Sequence, residues 1–247
     1  MKKFWPQIYK LFLFMLIFGA GVGAQRIGLI DFISDPYELP LIVKLFWQHL
    51  YLVGCSMTAA TVIGLSVGII LTRERLKKYA GVGMYIVSLG QTIPSLAVIA
   101  LAMSFLGIGA KPAIFALIIY SILPIARNTL AGIMAVPPSL IDAAQGMGMP
   151  PGRLLLDVEL PNAMRVIITG FRVALIINIG TAALAFLIGA GGLGDLIFSG
   201  ISLMEPDKLL AGAIPVTLLA LLGDSLCELL GLLLIPKGLR LGESGKG

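Results

Sequence analysis

The sequence predicts an all-α integral membrane protein of about six spanning helices, and three observations lead there. Of its 247 residues, 58% are hydrophobic and 13% charged, with a mean hydropathy of +0.99, whereas a soluble domain carries roughly 25% charged residues. Long apolar stretches recur along the whole chain, too many to hide in one water-soluble core of this size. Basic residues gather in alternate connections between those stretches, the asymmetry that sets the orientation of membrane helices.

A span needs about 20 predominantly apolar residues, since each helical residue advances about 1.5 Å through a hydrocarbon layer roughly 30 Å thick. Six segments meet this test: Ile8 to Ala24, Leu50 to Thr72, Ala80 to Leu106, Pro112 to Ala131, Val166 to Ile188 and Leu209 to Pro236. Lys2, Lys3 and the apolar run that follows also imitate a cleavable signal. The extension of that run to Ala24 favours an uncleaved first helix.

With the N-terminus inside, the cytoplasmic connections hold Lys2, Lys3 and Lys10, then Arg73, Arg75, Lys77 and Lys78, then Arg127, Arg153, Arg165 and Arg172, then Lys237, Arg240 and Lys246. Arg26, Lys44, Lys111 and Lys208 fall outside. Both termini are thus expected in the cytoplasm. The organisation read from this is a first helix and external loop over 1–44, a transmembrane domain over 45–236 and a cytoplasmic tail over 237–247, whose end from Gly242 is expected to be disordered.

The formal charge of +5 does not point to nucleic acid, because the basic residues are scattered in short groups rather than set on one face. Cys55 and Cys227 lie in apolar segments and offer neither a disulfide framework nor metal-ligand spacing, so both are expected to be packing residues. No phosphate-binding loop, zinc-protease motif or serine-hydrolase motif is present, so the chain is expected to be no enzyme and to hold no metal.

Between Ala131 and Val166 runs the longest polar connection. Pro137 and Pro138 precede Ser139, a candidate N-cap, and Leu140 to Gly146 form a short helix with Asp142 in its first turn. Gly146, Gly148, Pro150 and Gly152 then force a turn, and a second helical stretch from Arg153 to Leu160 is expected to end at Pro161. The predicted element, over 137–161, is a helix, a turn and a helix at the inner face of the membrane.

Polar residues inside apolar segments carry the other expectations, because a bare polar group in hydrocarbon costs several kcal/mol. Gln91, Thr92 and Pro94 in the third span, and Asn178 and Thr181 in the fifth, either line a translocation pathway or bond neighbouring helices. Asp224 and Glu228 suggest proton coupling by default. The last segment is longer than one span requires, however, so both are expected near its cytoplasmic end, within reach of Lys237 or Arg240. His49 is expected at the outer interface.

Asp142-Ala143-Ala144, three residues, Gly148, nine residues, then Val158-Glu159-Leu160-Pro161 resembles the EAA signature of binding-protein-dependent ABC importer permeases. Asp142 stands for the usual Glu and Val158 for the usual Ile. The resemblance implies the type I ABC importer permease fold in a bacterial inner (cytoplasmic) membrane, with this element, through Asp142, Ala143, Ala144, Gly148, Val158, Leu160 and Pro161, docking on the ATPase as a coupling helix. It also implies two ATP-binding subunits that hold the ATP and Mg, a second permease chain, identical or paralogous, and an extracytoplasmic substrate-binding protein. This chain itself is expected to carry no cofactor. Gly90-Gln91-Thr92-Ile93-Pro94-Ser95, Tyr120 to Thr129, Asn178 to Ala182 and Ile188 to Gly194 narrow the resemblance to permeases for glycine betaine, choline, carnitine and similar compatible solutes. The alternatives are a permease for another small solute, such as an amino acid, and a proton-coupled secondary transporter.

Overall fold

A computed structural model describes residue 23 and residues 25–234. The expected first span and the cytoplasmic tail lie outside the described residues, apart from Gly23 and the loop that follows. Those described form helices joined by short turns: α1 (Leu29–Ser34), α2 (Glu38–Thr72), α3 (Glu74–Lys77), α4 (Ala80–Thr92), α5 (Ser95–Leu106), α6 (Ala110–Met134), α7 (Pro138–Gly146), α8 (Pro151–Ile188), α9 (Gly194–Leu203) and α10 (Pro206–Leu234). Four of them, α2, α6, α8 and α10, are long and apolar enough to cross a membrane, and the bent pair α4 and α5 makes up to five.

The helix α6 is the axis of the bundle, with 56% of its most apolar window buried, against 17% for α10 at the periphery. Leu117 and Ile125 of α6 sit in one core with Leu52 of α2, Ile99 of α5 and Ala174 and Ile179 of α8. Between lipid-solvated helices there is little hydrophobic drive, so close backbone approach through small residues supplies the attraction. Gly68 provides it here: a Cβ at that position would fall 2.5 Å from Thr129 Cβ and 2.9 Å from the Ala126 carbonyl.

Several boundaries differ from those the sequence predicts. The second span begins at Glu38 rather than Leu50, which draws His49 from the expected interface into a fully buried position. The third span is not one helix: it breaks at Ile93 and Pro94, and its halves meet at 91°. Ile93 is extended (φ −78°, ψ 132°), as the ring of the following proline demands. The N-cap of α7 is Pro137 rather than Ser139, and Asp142 lies past the first turn. Nor does Pro161 end a helix, because α8 runs through it, widening into a π-helical segment over Leu154–Glu159 before the α-helix resumes at Leu160.

Two expectations about side chains are also corrected. Cys227 is buried, but Cys55 lies exposed on α2. Arg172, counted among the cytoplasmic loop residues, sits well inside α8 and forms a two-pronged ion pair with Asp224 of α10. Asp224 therefore has a partner on α8; Lys237 and Arg240, expected within its reach, lie outside the described residues, and Glu228, one turn on, is exposed.

Candidate coupling element and membrane pathway

The element between α6 and α8 is built by prolines and one glycine. Pro138 starts α7 where no helical N–H is needed. The helix turns Ala144 inward, to 3% exposure, and leaves Asp142 and Ala143 exposed. Its end is closed by N–H bonds from Met147 to the Ala143 carbonyl (3.1 Å), from Gly148 to Gln145 (2.8 Å) and from Met149 to Ala144 (3.1 Å). Gly148 takes φ +80° in this turn, a left-handed conformation that costs other residues roughly 1–2 kcal/mol.

Beyond the turn, the chain enters α8 at Pro151. Pro161 has no N–H to return to the preceding turn, and the hydrogen-bond ladder there is loosened into the π segment. Asn162 donates its side-chain N–H to the Val158 carbonyl at 2.7 Å, satisfying one acceptor of that region. Val158, Leu160 and Pro161 are partly buried where α8 begins to pack. Between Val158 and Leu160, Glu159 is 7% exposed and paired with Arg73. The Arg73 guanidinium also donates to the Ile69 carbonyl (3.3 Å) and to Thr72 Oγ1 (2.7 Å), closing the C-terminal end of α2. Asp142 of α7 lines a shallow cleft shared with Thr72, Lys77 and Glu159.

The second group of candidates lies deeper in the bundle. Pro124 inside α6 leaves the Tyr120 carbonyl, four residues earlier, without its helical donor. Gln91 of α4 supplies one, its Nε2 donating to that carbonyl at 2.6 Å. In return the Tyr120 hydroxyl donates to the Ile93 carbonyl, exposed by the break at Pro94. Two proline defects on different helices thus satisfy each other's carbonyls. Thr92 and Pro94 remain exposed beside this joint, with the Thr92 hydroxyl bonded back to Leu89 (2.8 Å).

Asn178 is fully buried and ties three helices: Ser56 Oγ of α2 donates to its Oδ1 at 3.0 Å, and its Nδ2 donates to Ser121 Oγ of α6 at 2.8 Å. Thr181 bonds its own helix, at the Ile177 carbonyl (2.8 Å). The buried His49 shares Nε2 with the Ile179 carbonyl at 3.1 Å, and its Nδ1 has no partner among the described residues. Of the two readings open to the polar residues, the positions of Gln91 and Asn178 fit helix bonding, and the exposure of Thr92 and Pro94 leaves the pathway reading open to them.

Sequence reasoning missed the Arg73–Glu159 and Arg172–Asp224 pairs. A carboxylate in the variable place between Val158 and Leu160 was a signal for the first. Nothing local signalled the second, whose members are 52 residues apart.

A helical bundle of apolar spans, with a proline-framed helix, turn and helix at one end, has the make-up of a multi-pass membrane protein. The chain belongs to the family described as binding-protein-dependent transport system inner membrane component, which it matches over residues 60–233. It is a multi-pass permease subunit of the inner membrane. Permeases of such systems work with ATP-binding subunits and substrate-binding proteins.

The chain is 45% identical over 229 residues to the osmoprotectant import permease protein OsmY of Salmonella typhimurium, covering 93% of each. It is 44% identical over 199 residues to the carnitine transport permease protein OpuCB of Listeria monocytogenes, covering 81% of this chain and 90% of that one. Among solved structures, the inward-facing MetNI methionine ABC transporter superposes with a TM-score of 0.67 at 26% identity, over 79% of this chain and 98% of the other. A second, an amino acid ABC transporter with histidines, has the same TM-score of 0.67 at 21% identity and bears on the fold alone.

Proposed function

We propose that the chain is the permease of an ATP-driven importer for a quaternary ammonium osmoprotectant such as glycine betaine, choline or carnitine. The observation that carries this reading is the 45% identity to an osmoprotectant import permease across 93% of both chains. Two copies, or one copy and a close relative, form the pathway; two separate ATPase subunits hold ATP and Mg, and an extracytoplasmic binding protein delivers the solute. Six spans place both termini in the cytoplasm, with α7 on the same side. Asp142 and Ala143, exposed on α7, dock into the ATPase, and Ala144, Gly148, Val158, Leu160 and Pro161 shape the lever behind them. Thr92, Pro94 and Thr181 flank the route, and Gln91 and Asn178 hold its walls.

The test is uptake of radiolabelled glycine betaine and choline by proteoliposomes containing the complete complex. ATP-dependent uptake that Gly148→Asp abolishes, with the ATPase subunit's retention checked, supports both the lever and the substrate class. ATP-dependent flux of neither solute removes the substrate class, and flux without ATP removes the importer reading.

A further inference from the structure

We propose that Arg73 and Glu159 form a strut that carries movement of α7 into α2, and so are positioning residues for coupling. Glu159 sits at the end of the π segment, the first part of α8 that α7 leans on, with Ala144 buried behind the lever. Its carboxylate is nearly enclosed and is engaged by Arg73. Arg73 in turn is bound to the last turn of α2 through the Ile69 carbonyl and Thr72. The path from α7 runs through the short Gly148 turn and the π segment to Arg73 at the end of α2, beside an apolar cluster that Leu155 and Leu160 of α8 share with Leu65 and Ile69 of α2.

What lies beyond that contact makes it mechanical. Gly68, less than two turns before Arg73, is packed against Thr129 at a distance no larger residue fits, so α2 moves together with the axial helix α6. A π segment is a widened, weakly held turn that can yield where an α-helix cannot. Without the ion pair, a push on α7 would be absorbed there. With it, α8 and α2 are driven as one body.

The inference rests on the proposed docking of α7 on an ATPase, and its test separates the two. The complete complex, with ATPase and binding protein, is reconstituted in liposomes, and labelled glycine betaine and choline uptake is measured alongside ATP hydrolysis. In Glu159→Gln and Arg73→Gln the ATPase subunit is expected to co-purify and to hydrolyse ATP, while solute delivered per ATP falls at least about fivefold, the lower end of usual coupling energies. Glu159→Asp, which keeps the charge facing Arg73, is expected to hold more of the wild-type ratio than Glu159→Gln. A merely structural role would lower uptake and hydrolysis together and leave the ratio unchanged.

A wild-type ratio in Glu159→Gln and Arg73→Gln, or a Glu159→Asp ratio no better than that of Glu159→Gln, overturns the strut. If a single variant gives no complex, Arg73→Lys replaces it, with a lowered ratio expected and an unchanged one counting against the proposal. Ala143→Trp tests the docking reading separately. Retention of the ATPase subunit and a normal ratio in that variant would remove the docking site, whatever Glu159 does.

Discussion

Replacing Gln91 by Leu tests the claim that the break between α4 and α5 is held by a proline on another helix. The Gln91 amide is the donor that reaches the Tyr120 carbonyl, at 2.6 Å, and Pro124 is the reason that carbonyl needs one. Leaving a carbonyl unsatisfied away from water costs about 1–3 kcal/mol. For a chain of this size about 1–2 kcal/mol corresponds to a fall in Tm of roughly 2–8 °C. The reasoning makes a sharper demand than the fall itself. Pro124→Ala restores an N–H four residues after Tyr120, so Gln91→Leu should cost little in that background. Thermal unfolding of wild type, both single variants and the double variant in detergent gives the coupling, expected at about 1–2 kcal/mol between residues that share an acceptor. Additive effects, with the double variant losing the full cost of Gln91→Leu, would refute the shared-carbonyl account.

Gly68→Ala should destabilise by about 1–3 kcal/mol, since overpacking against Thr129 and the Ala126 carbonyl forces the helices apart; Gly54→Ala on the same helix meets nothing within 4 Å and should be neutral in the same melting assay. Gly148→Ala isolates the positive φ from any added bulk, because nothing lies within 4 Å of that position; uptake by the reconstituted complex should drop while membrane insertion, read by fractionation, stays normal. Asp224→Asn leaves Arg172 without its carboxylate inside an apolar helix pair, so the yield of inserted protein should fall, and R172Q/D224N should recover more of it than the single variant. Ser56→Ala and Ser121→Ala should each loosen the Asn178 junction by about 0.6 kcal/mol, and together by less than the loss expected of Asn178→Leu, as melting would show.

The apolar stretches were legible because hydropathy acts over whole turns: α6 was expected over Pro112 to Ala131 and runs Ala110–Met134. The helix, turn and helix over 137–161 was legible for a different reason. Its turn depends on local backbone chemistry, and the glycines and prolines over 146–152 mark it, with Gly148 taking the positive φ. What was not legible depended on partners distant in sequence. Pro94 announces a kink, but a 91° break is fixed by Tyr120 and Gln91 meeting across helices. Arg172 counts with the cytoplasmic-side basic residues at the start of the fifth span, and only the fold shows its ion pair with Asp224, 52 residues away. His49 moved inside because α2 continues twelve residues beyond the apolar run, through Glu38 and Lys44, as a helix that tertiary packing rather than hydropathy sustains.

The described intramembrane polar groups mostly fasten the protein to itself. Ser56, Ser121 and Asn178 join three helices; Gln91 and Tyr120 answer two proline defects; Arg172 and Asp224 answer each other. In hydrocarbon such bonds are modest individually, averaging about 0.6 kcal/mol, yet each is directional and fixes one helix's rotation against another. A bundle fastened in this way moves as a few rigid bodies. The flexible places are then the ones its prolines create: the joint at Ile93 and Pro94, and the π segment ahead of Pro161. The first lies against α6 with residues 92–94 exposed and the second follows α7, so a push at α7 would have two defined places to be taken up. The Arg73–Glu159 pair bridges the second. If that bridge holds during transport, the displacement must appear at the first, and spin labels across Thr92 and Ser95 should change separation between nucleotide states, while a pair on the exposed Val62 of α2 and Phe115 of α6 should not.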